Sequence, residues 1–130
     1  MSSAAVPGQF VNIKCSEGND AFLRRPLSIC SADAAEGTYS VFFKKIGAGT
    51  ALLSEKKDGD TLDVLGPLGN GFDLDIKYGR IAVVGGGLGI FPLLYVLEKS
   101  KASYEKVIPG FQKFRAGGPG RRIQAKFPFP

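Results

Sequence analysis

The chain contains no histidine and only two cysteines, Cys15 and Cys30. It also has no apolar run long enough to cross a membrane. Without histidine there is neither an imidazole base nor an imidazole metal ligand. Two thiols are too few to hold an iron–sulfur cluster without a partner chain. Both read as small hydrophobes buried on strands rather than as a disulfide. Redox chemistry on this chain therefore needs a borrowed cofactor. The opening Met1-Ser2-Ser3-Ala4-Ala5 lacks the charged and long apolar regions of a secretion signal, so a cytoplasmic location is expected.

Acidic residues are missing from one region only. Residues 1–105 hold eleven Lys and Arg against twelve Asp and Glu, whereas residues 106–130 hold six basic residues and no acid. The net charge of +5 thus describes a tail on a nearly neutral globular part, and a general nucleic-acid surface is rejected. At 130 residues, 44% of them hydrophobic, the chain suits one ordinary domain or two very small ones.

Alternation marks Gln9 to Cys15 as a half-buried strand, with Val11, Ile13 and Cys15 on one side. After a Gly18-Asn19-Asp20 turn, Arg25 to Cys30 reads as a second strand. Thr38 to Ile46 is a third, with Tyr39, Val41 and Phe43 on one face. A short helix is expected from about Ala51 to Lys57, and a further strand from Thr61 to Leu65, cut by Gly66-Pro67. The pattern then changes to a buried strand over Ile81 to Val84, a glycine turn, and a helix over Pro92 to Lys99. Lys106 to Phe111 suits the next parallel strand. Residues 1–72 therefore form an antiparallel, β-barrel-like part, and residues 73–113 the opening βαβ of an α/β part. Residues 114–130 read as a basic irregular tail, by disorder or by an aberrant terminus.

Five stretches bear on a nucleotide site. In Arg25-Pro26-Leu27-Ser28 a guanidinium sits beside a locked proline, with a hydroxyl three residues on. The arginine fork donates two parallel bonds to a diphosphate. In Gly49-Thr50 the threonine suits a helix cap, and the same N–H cluster can hold a phosphate. Phe42 and Phe43 lie on an alternating strand, where core packing suits at least one of them. The Gly66 to Phe72 connector is a rigid turn that can place Phe72 near a cleft. Gly85-Gly86-Gly87-Leu88-Gly89-Ile90-Phe91-Pro92 is a phosphate-type turn but lacks the G-x-G-x-x-G spacing, and tight strand–helix packing explains it equally.

Taken in order from about Pro7 to Phe111, these stretches resemble the ferredoxin-reductase-like FAD/NAD flavoproteins. Within them, the resemblance is to the electron-transfer subunits of bacterial NAD-dependent dihydroorotate dehydrogenases. It implies an FAD-binding barrel followed by an NAD-binding α/β domain. It places Arg25, Pro26, Leu27 and Ser28 at the flavin and its phosphates, and Phe42, Phe43 and Lys44 on the strand lining FAD. Gly49 and Thr50 would meet the pyrophosphate, and Gly85, Gly86, Gly87 and Gly89 the nicotinamide nucleotide. The implied role is passage of electrons from dihydroorotate oxidation through FAD to NAD, in pyrimidine biosynthesis. The implied partner is a catalytic FMN-containing subunit, in a heterotetramer joined through a [2Fe–2S] cluster. No side chain here is needed as an acid or base.

This chain departs from that pattern in three places. It starts almost at Pro7-Gly8-Gln9-Phe10, where the family has two earlier barrel strands; the cluster cysteines are absent; and the NAD-binding sheet is cut after its opening unit. An incomplete barrel, truncated at both ends, is the expectation. Two other readings stay open: a related ferredoxin- or sulfide-type NAD(P) flavin reductase subunit, and a non-catalytic fragment.

Overall fold

The computed structural model describes residues 5–16, 18, 22–74, 83–100 and 120–126. Five strands form one antiparallel sheet: β1 (Phe10–Ile13), β2 (Arg25–Asp33), β3 (Thr38–Lys44), β4 (Val64–Leu68) and β5 (Gly120–Lys126), in the order β4-β1-β2-β3-β5. Two helices accompany it, α1 (Ala48–Glu55) and α2 (Ile90–Lys99). Among the described residues β4 and β5 are the two edges, so the sheet is open there rather than closed into a barrel. No helix among them is long and apolar enough to cross a membrane.

The expected alternation is present. Val11, Ile13 and Cys15 are buried together with Ile29, Tyr39, Val41 and Phe43, while intervening residues such as Asn12 and Phe42 stay half-exposed. One face of a pleated strand pair thus supplies most of the core, and Leu53 of α1 and Tyr95 of α2 complete it. Each such side chain contributes about 1.5–3 kcal/mol by leaving water. The β2–β3 hairpin turns where Asp33 Oδ1 accepts the N–H groups of Ala35 (2.9 Å) and Glu36 (3.1 Å), ahead of Gly37 at φ 62°.

The structure revises several boundaries. β2 runs on to Asp33, and β4 continues through Gly66-Pro67, a cis peptide, instead of stopping at Leu65. Proline is tolerated there because β4 is an edge strand. The helix expected from Ala51 begins at Ala48, with Gly47 as its N-cap. Val83 and Val84, expected in a buried strand, lie in irregular chain, and Val84 is 90% exposed. Ile81, Ala82 and the Lys106 to Phe111 strand fall outside the described residues. Part of the expected irregular tail is ordered: Gly120 to Lys126 pairs with β3 from Lys44 to Thr38.

The segment before β1 is tied to the β4 exit. Phe72 N–H donates to the Pro7 carbonyl (2.8 Å) and Gln9 Nε2 to the Gly69 carbonyl (3.0 Å). Tyr95 reaches back across the sheet, its hydroxyl donating to the Ala5 carbonyl at 2.6 Å. Helix α2 is thereby packed on the same core as the strands.

Both cysteines are free thiols in this core. Burial pushes each thiol up from its ordinary pKa, which keeps it protonated and unreactive.

Candidate functional site

The first turn of α1 is where the expected site residues converge. Gly49 is buried, and a β-carbon there would fall 2.7 Å from Nε of Arg25 and 3.3 Å from one of its terminal nitrogens. The guanidinium of β2's first residue therefore lies directly over the glycine. A side chain at position 49 would displace it.

Thr50 is not the cap that the sequence suggested. It is the third helical residue, and its Oγ1 accepts the N–H groups of Ile46 (2.9 Å) and Gly47 (3.2 Å) while donating to the Gly47 carbonyl (3.0 Å). This is the reciprocal half of a capping box, made by threonine in place of Glu or Gln. The first intrahelical bond is donated by Ala51 to Gly47 (2.9 Å). The N–H groups of Ala48, Gly49 and Thr50 consequently have no intrahelical acceptor. With Arg25 above them, no acid in the first turn, and exposed Lys44 and Lys45 just ahead, the corner suits a phosphate or diphosphate.

Elsewhere on the Arg25 to Ser28 strand the side chains divide. Arg25 and Leu27 are half-buried, whereas Pro26 and Ser28 are exposed on the other face. Residues three apart on a strand point opposite ways, so Arg25 and Ser28 lie on opposite sides of β2. Arg24 is committed to structure. It donates to Asp63 Oδ2 (2.6 Å), to the Asp63 carbonyl (3.1 Å) and to the Asn12 carbonyl (3.4 Å).

This hydrogen bond, with the charge of Arg24, holds the Asp63 carboxyl below the usual aspartate range. A depressed carboxylate favours the fold above its unfolded pKa, and that contribution is lost as pH falls through the folded value. The pair is solvent-exposed, so its weight in stability is small. An NMR titration is expected to show Asp63 titrating early on the acid side and moving up toward an ordinary aspartate in Arg24→Ala. An unmoved midpoint would mean that Arg24 is not its partner in solution.

Phe43 is 2% exposed and belongs to the core, while Phe42 lies on the opposite side of β3 with its ring stacked on Phe91. The centroids are 4.2 Å apart and the planes differ by 3°. Sequence reasoning did not single out this pair or Tyr95. The available signal was two aromatics, Phe91 and Tyr95, four residues apart on one helix face.

The glycine run before α2 divides into two kinds of position. A β-carbon at Gly85 would meet Leu93 Cδ1 at 2.6 Å, so Gly85 lets the turn seat on the helix, as the packing reading required. At Gly86, Gly87 and Gly89 nothing lies within 4 Å, and Gly87 has φ 57°. These three keep the backbone open to an approaching group, next to a helix start that has no side-chain cap.

For a flavin nucleotide the donor set fits: a guanidinium, a glycine that makes room for it, and helix N–H groups around one corner. For an iron–sulfur cluster it does not fit. Among the described residues no three His, Cys, Asp or Glu come together, and the whole chain has two cysteines.

No family model matches the chain. Curated relatives do. The chain is 52% identical over 99 residues to the dihydroorotate dehydrogenase B (NAD(+)) electron transfer subunit of Geobacillus thermodenitrificans, covering 75% of this chain and 38% of that protein. With the same-named subunit of Desulforamulus reducens it shares 43% over 95 residues, covering 73% and 36%. With that of Bacillus caldolyticus it shares 46% over 110 residues, covering 82% and 43%. The chain thus spans about two fifths of the length of the curated relatives it matches. Over the part it shares with them, it is homologous to the electron transfer subunits of dihydroorotate dehydrogenase B.

Proposed function

We propose that this chain carries the FAD-contacting portion of a dihydroorotate dehydrogenase electron transfer subunit and the nucleotide turn that follows it. The observation supporting this most directly is the Arg25 guanidinium seated over Gly49 at the start of α1. When bound, FAD would supply the redox chemistry, accepting electrons and delivering a hydride to NAD. The residues of this chain bind and orient. Arg25 and the N–H groups of Ala48, Gly49 and Thr50 take the diphosphate. Lys44 adds positive charge, the β2 and β3 backbones (at Leu27 the backbone alone) flank the ring system with Pro26, Ser28 and Phe42, and Gly86, Gly87 and Gly89 receive the nicotinamide nucleotide.

In this reading strands β1 to β4, within residues 1–72, are most of a ferredoxin-reductase-like barrel, and β5 adds a strand at its β3 edge. Residues 73–113 begin the NAD-binding βαβ part, with residues 114–130 beyond it. Electrons would come from a partner, the FMN-containing catalytic subunit, in the cytoplasm. No step is routed through a cluster on this chain, whose residues do not fit one.

The test is the absorption spectrum of the purified chain from about 300 to 700 nm, after incubation with FAD and removal of unbound flavin. Flavin bands near ~450 nm that stay with the protein are the expected result, because the cofactor carries the chromophore as well as the chemistry. A colourless protein would sink the FAD reading and favour the fragment without cofactor. If flavin is retained, orotate-coupled NAD reduction with the catalytic subunit separates this function from that of a ferredoxin-type reductase.

A further inference from the structure

We propose that Phe91 is a positioning residue. Its stack on Phe42 is the joint that fixes the glycine turn to the strand lining the flavin, so that occupancy at the strand is felt at the turn. The proposal rests on the FAD reading above and concerns how its two halves are connected.

The glycine turn lies close to β3, with open space where most of its glycines would carry side chains. Gly86, Gly87 and Gly89 have no neighbour where a β-carbon would be, so their backbone is not wedged by packing. Gly85 is braced against Leu93, Ile90 and Gly89, which belong to α2 and to the turn itself. The turn is therefore seated on the start of α2, beside β3.

Helix α2 is in turn attached through aromatic side chains one turn apart. Tyr95, 1% exposed, anchors its middle in the core and to the Ala5 carbonyl (2.6 Å). Phe91, in the first turn and two residues beyond Gly89, anchors its leading end on Phe42 through parallel rings 4.2 Å apart. Residues four apart share a helix face, so α2 is attached along one face, by Tyr95 in the core and by Phe91 on the Phe42 side of β3. Phe91 is the one adjacent to the glycines.

Phe42 sits on β3 between core residues Val41 and Phe43, which hold its backbone in place. A ligand flanking β3 meets the Phe42 ring, and that ring bears directly on Phe91. Two rings in face contact exclude one another and lose dispersion when separated, so a displacement of one is passed to the other. A push on Phe42 accordingly becomes a displacement of the α2 N-terminus and of the N–H groups that the turn presents.

The experiment uses the full chain labelled with nitrogen-15 and FAD as the probe. At flavin saturation, the amide signals of Gly86, Gly87 and Gly89 are expected to shift in the wild type. In Phe91→Ala the shifts should fall to less than about a third, and Phe91→Tyr should restore them, because a ring is what the joint requires. A role confined to stability would lower the melting temperature and leave these shifts alone. Turn amides that respond equally in Phe91→Ala, or not at all in the flavin-loaded wild type, would overturn the proposal.

Should the wild type take up no FAD, the FAD reading falls and the joint is judged separately. A double-mutant cycle of Phe42→Ala and Phe91→Ala in urea should show coupling of about threefold or more in the unfolding constant, whereas additive effects would overturn it.

Discussion

Gly49→Ala is expected to weaken FAD binding about tenfold while leaving the fold as stable as before, or slightly more so. The two effects separate because of what the new methyl group meets. It would lie 2.7 Å from Arg25 Nε, too close to coexist, but that atom is near the end of a flexible side chain. The guanidinium swings away at little cost to the core. The backbone does not object, since Gly49 is not among the positive-φ glycines, and alanine is the better helix former, by up to about 0.5–1 kcal/mol in a helix interior and less in a first turn. What is lost is a charged donor held over the helix start. Hydrogen bonds to charged groups are worth roughly 1.5–3 kcal/mol, which is tenfold or more in affinity. Flavin fluorescence titration paired with a thermal melt reads both numbers. Arg25→Gln should show the same loss of affinity through the other partner. A variant that melts lower and binds FAD as tightly as the wild type would remove this corner from the site.

How much of this was legible before the structure depends on the range of the interaction. The faces of β1 and β3 were readable, because a two-residue period with one buried face writes itself into Val11, Ile13 and Cys15 and into Tyr39, Val41 and Phe43. Cys15 and Cys30 read correctly as buried thiols because a free cysteine behaves as a small hydrophobe. The start of α1 was misplaced by three residues. A threonine hydroxyl beside a helix can cap forward or reach back, and only the bonds to Ile46 and Gly47 show which it does. β5 was missed altogether: Gly120-Arg121-Arg122-Ile123-Gln124-Ala125-Lys126 has no apolar period, and its order comes from the β3 ladder. The Arg24–Asp63 pair spans 39 residues and left no local trace. At the site, the residue types of the Arg25 and Gly49 stretches were legible as phosphate chemistry. Their convergence over one helix turn was not, because it is a contact between elements.

Leu53→Ala is expected to cost about 2–5 kcal/mol, the range for emptying a core position that cannot fully collapse. Leu53 is completely buried in the cluster formed by the inner faces of the sheet strands, and it is the only side chain of α1 that is. Such a loss is a large fraction of the roughly 5–15 kcal/mol by which a domain of ordinary size is stable. It also bears on the site, because Leu53 lies four residues after Gly49 on the same helix face. Truncating it loosens the helix that carries the Ala48, Gly49 and Thr50 N–H groups. FAD affinity and stability should therefore fall together in Leu53→Ala, unlike their separation in Gly49→Ala. Leu53→Met, close in volume, should cost less than about 1.5 kcal/mol and retain most of the affinity. Urea unfolding beside flavin titration makes the comparison. If Leu53→Ala unfolds within about 0.5 kcal/mol of the wild type, like a typical surface change, α1 is not seated on the sheet and the phosphate corner it builds with Arg25 has no support.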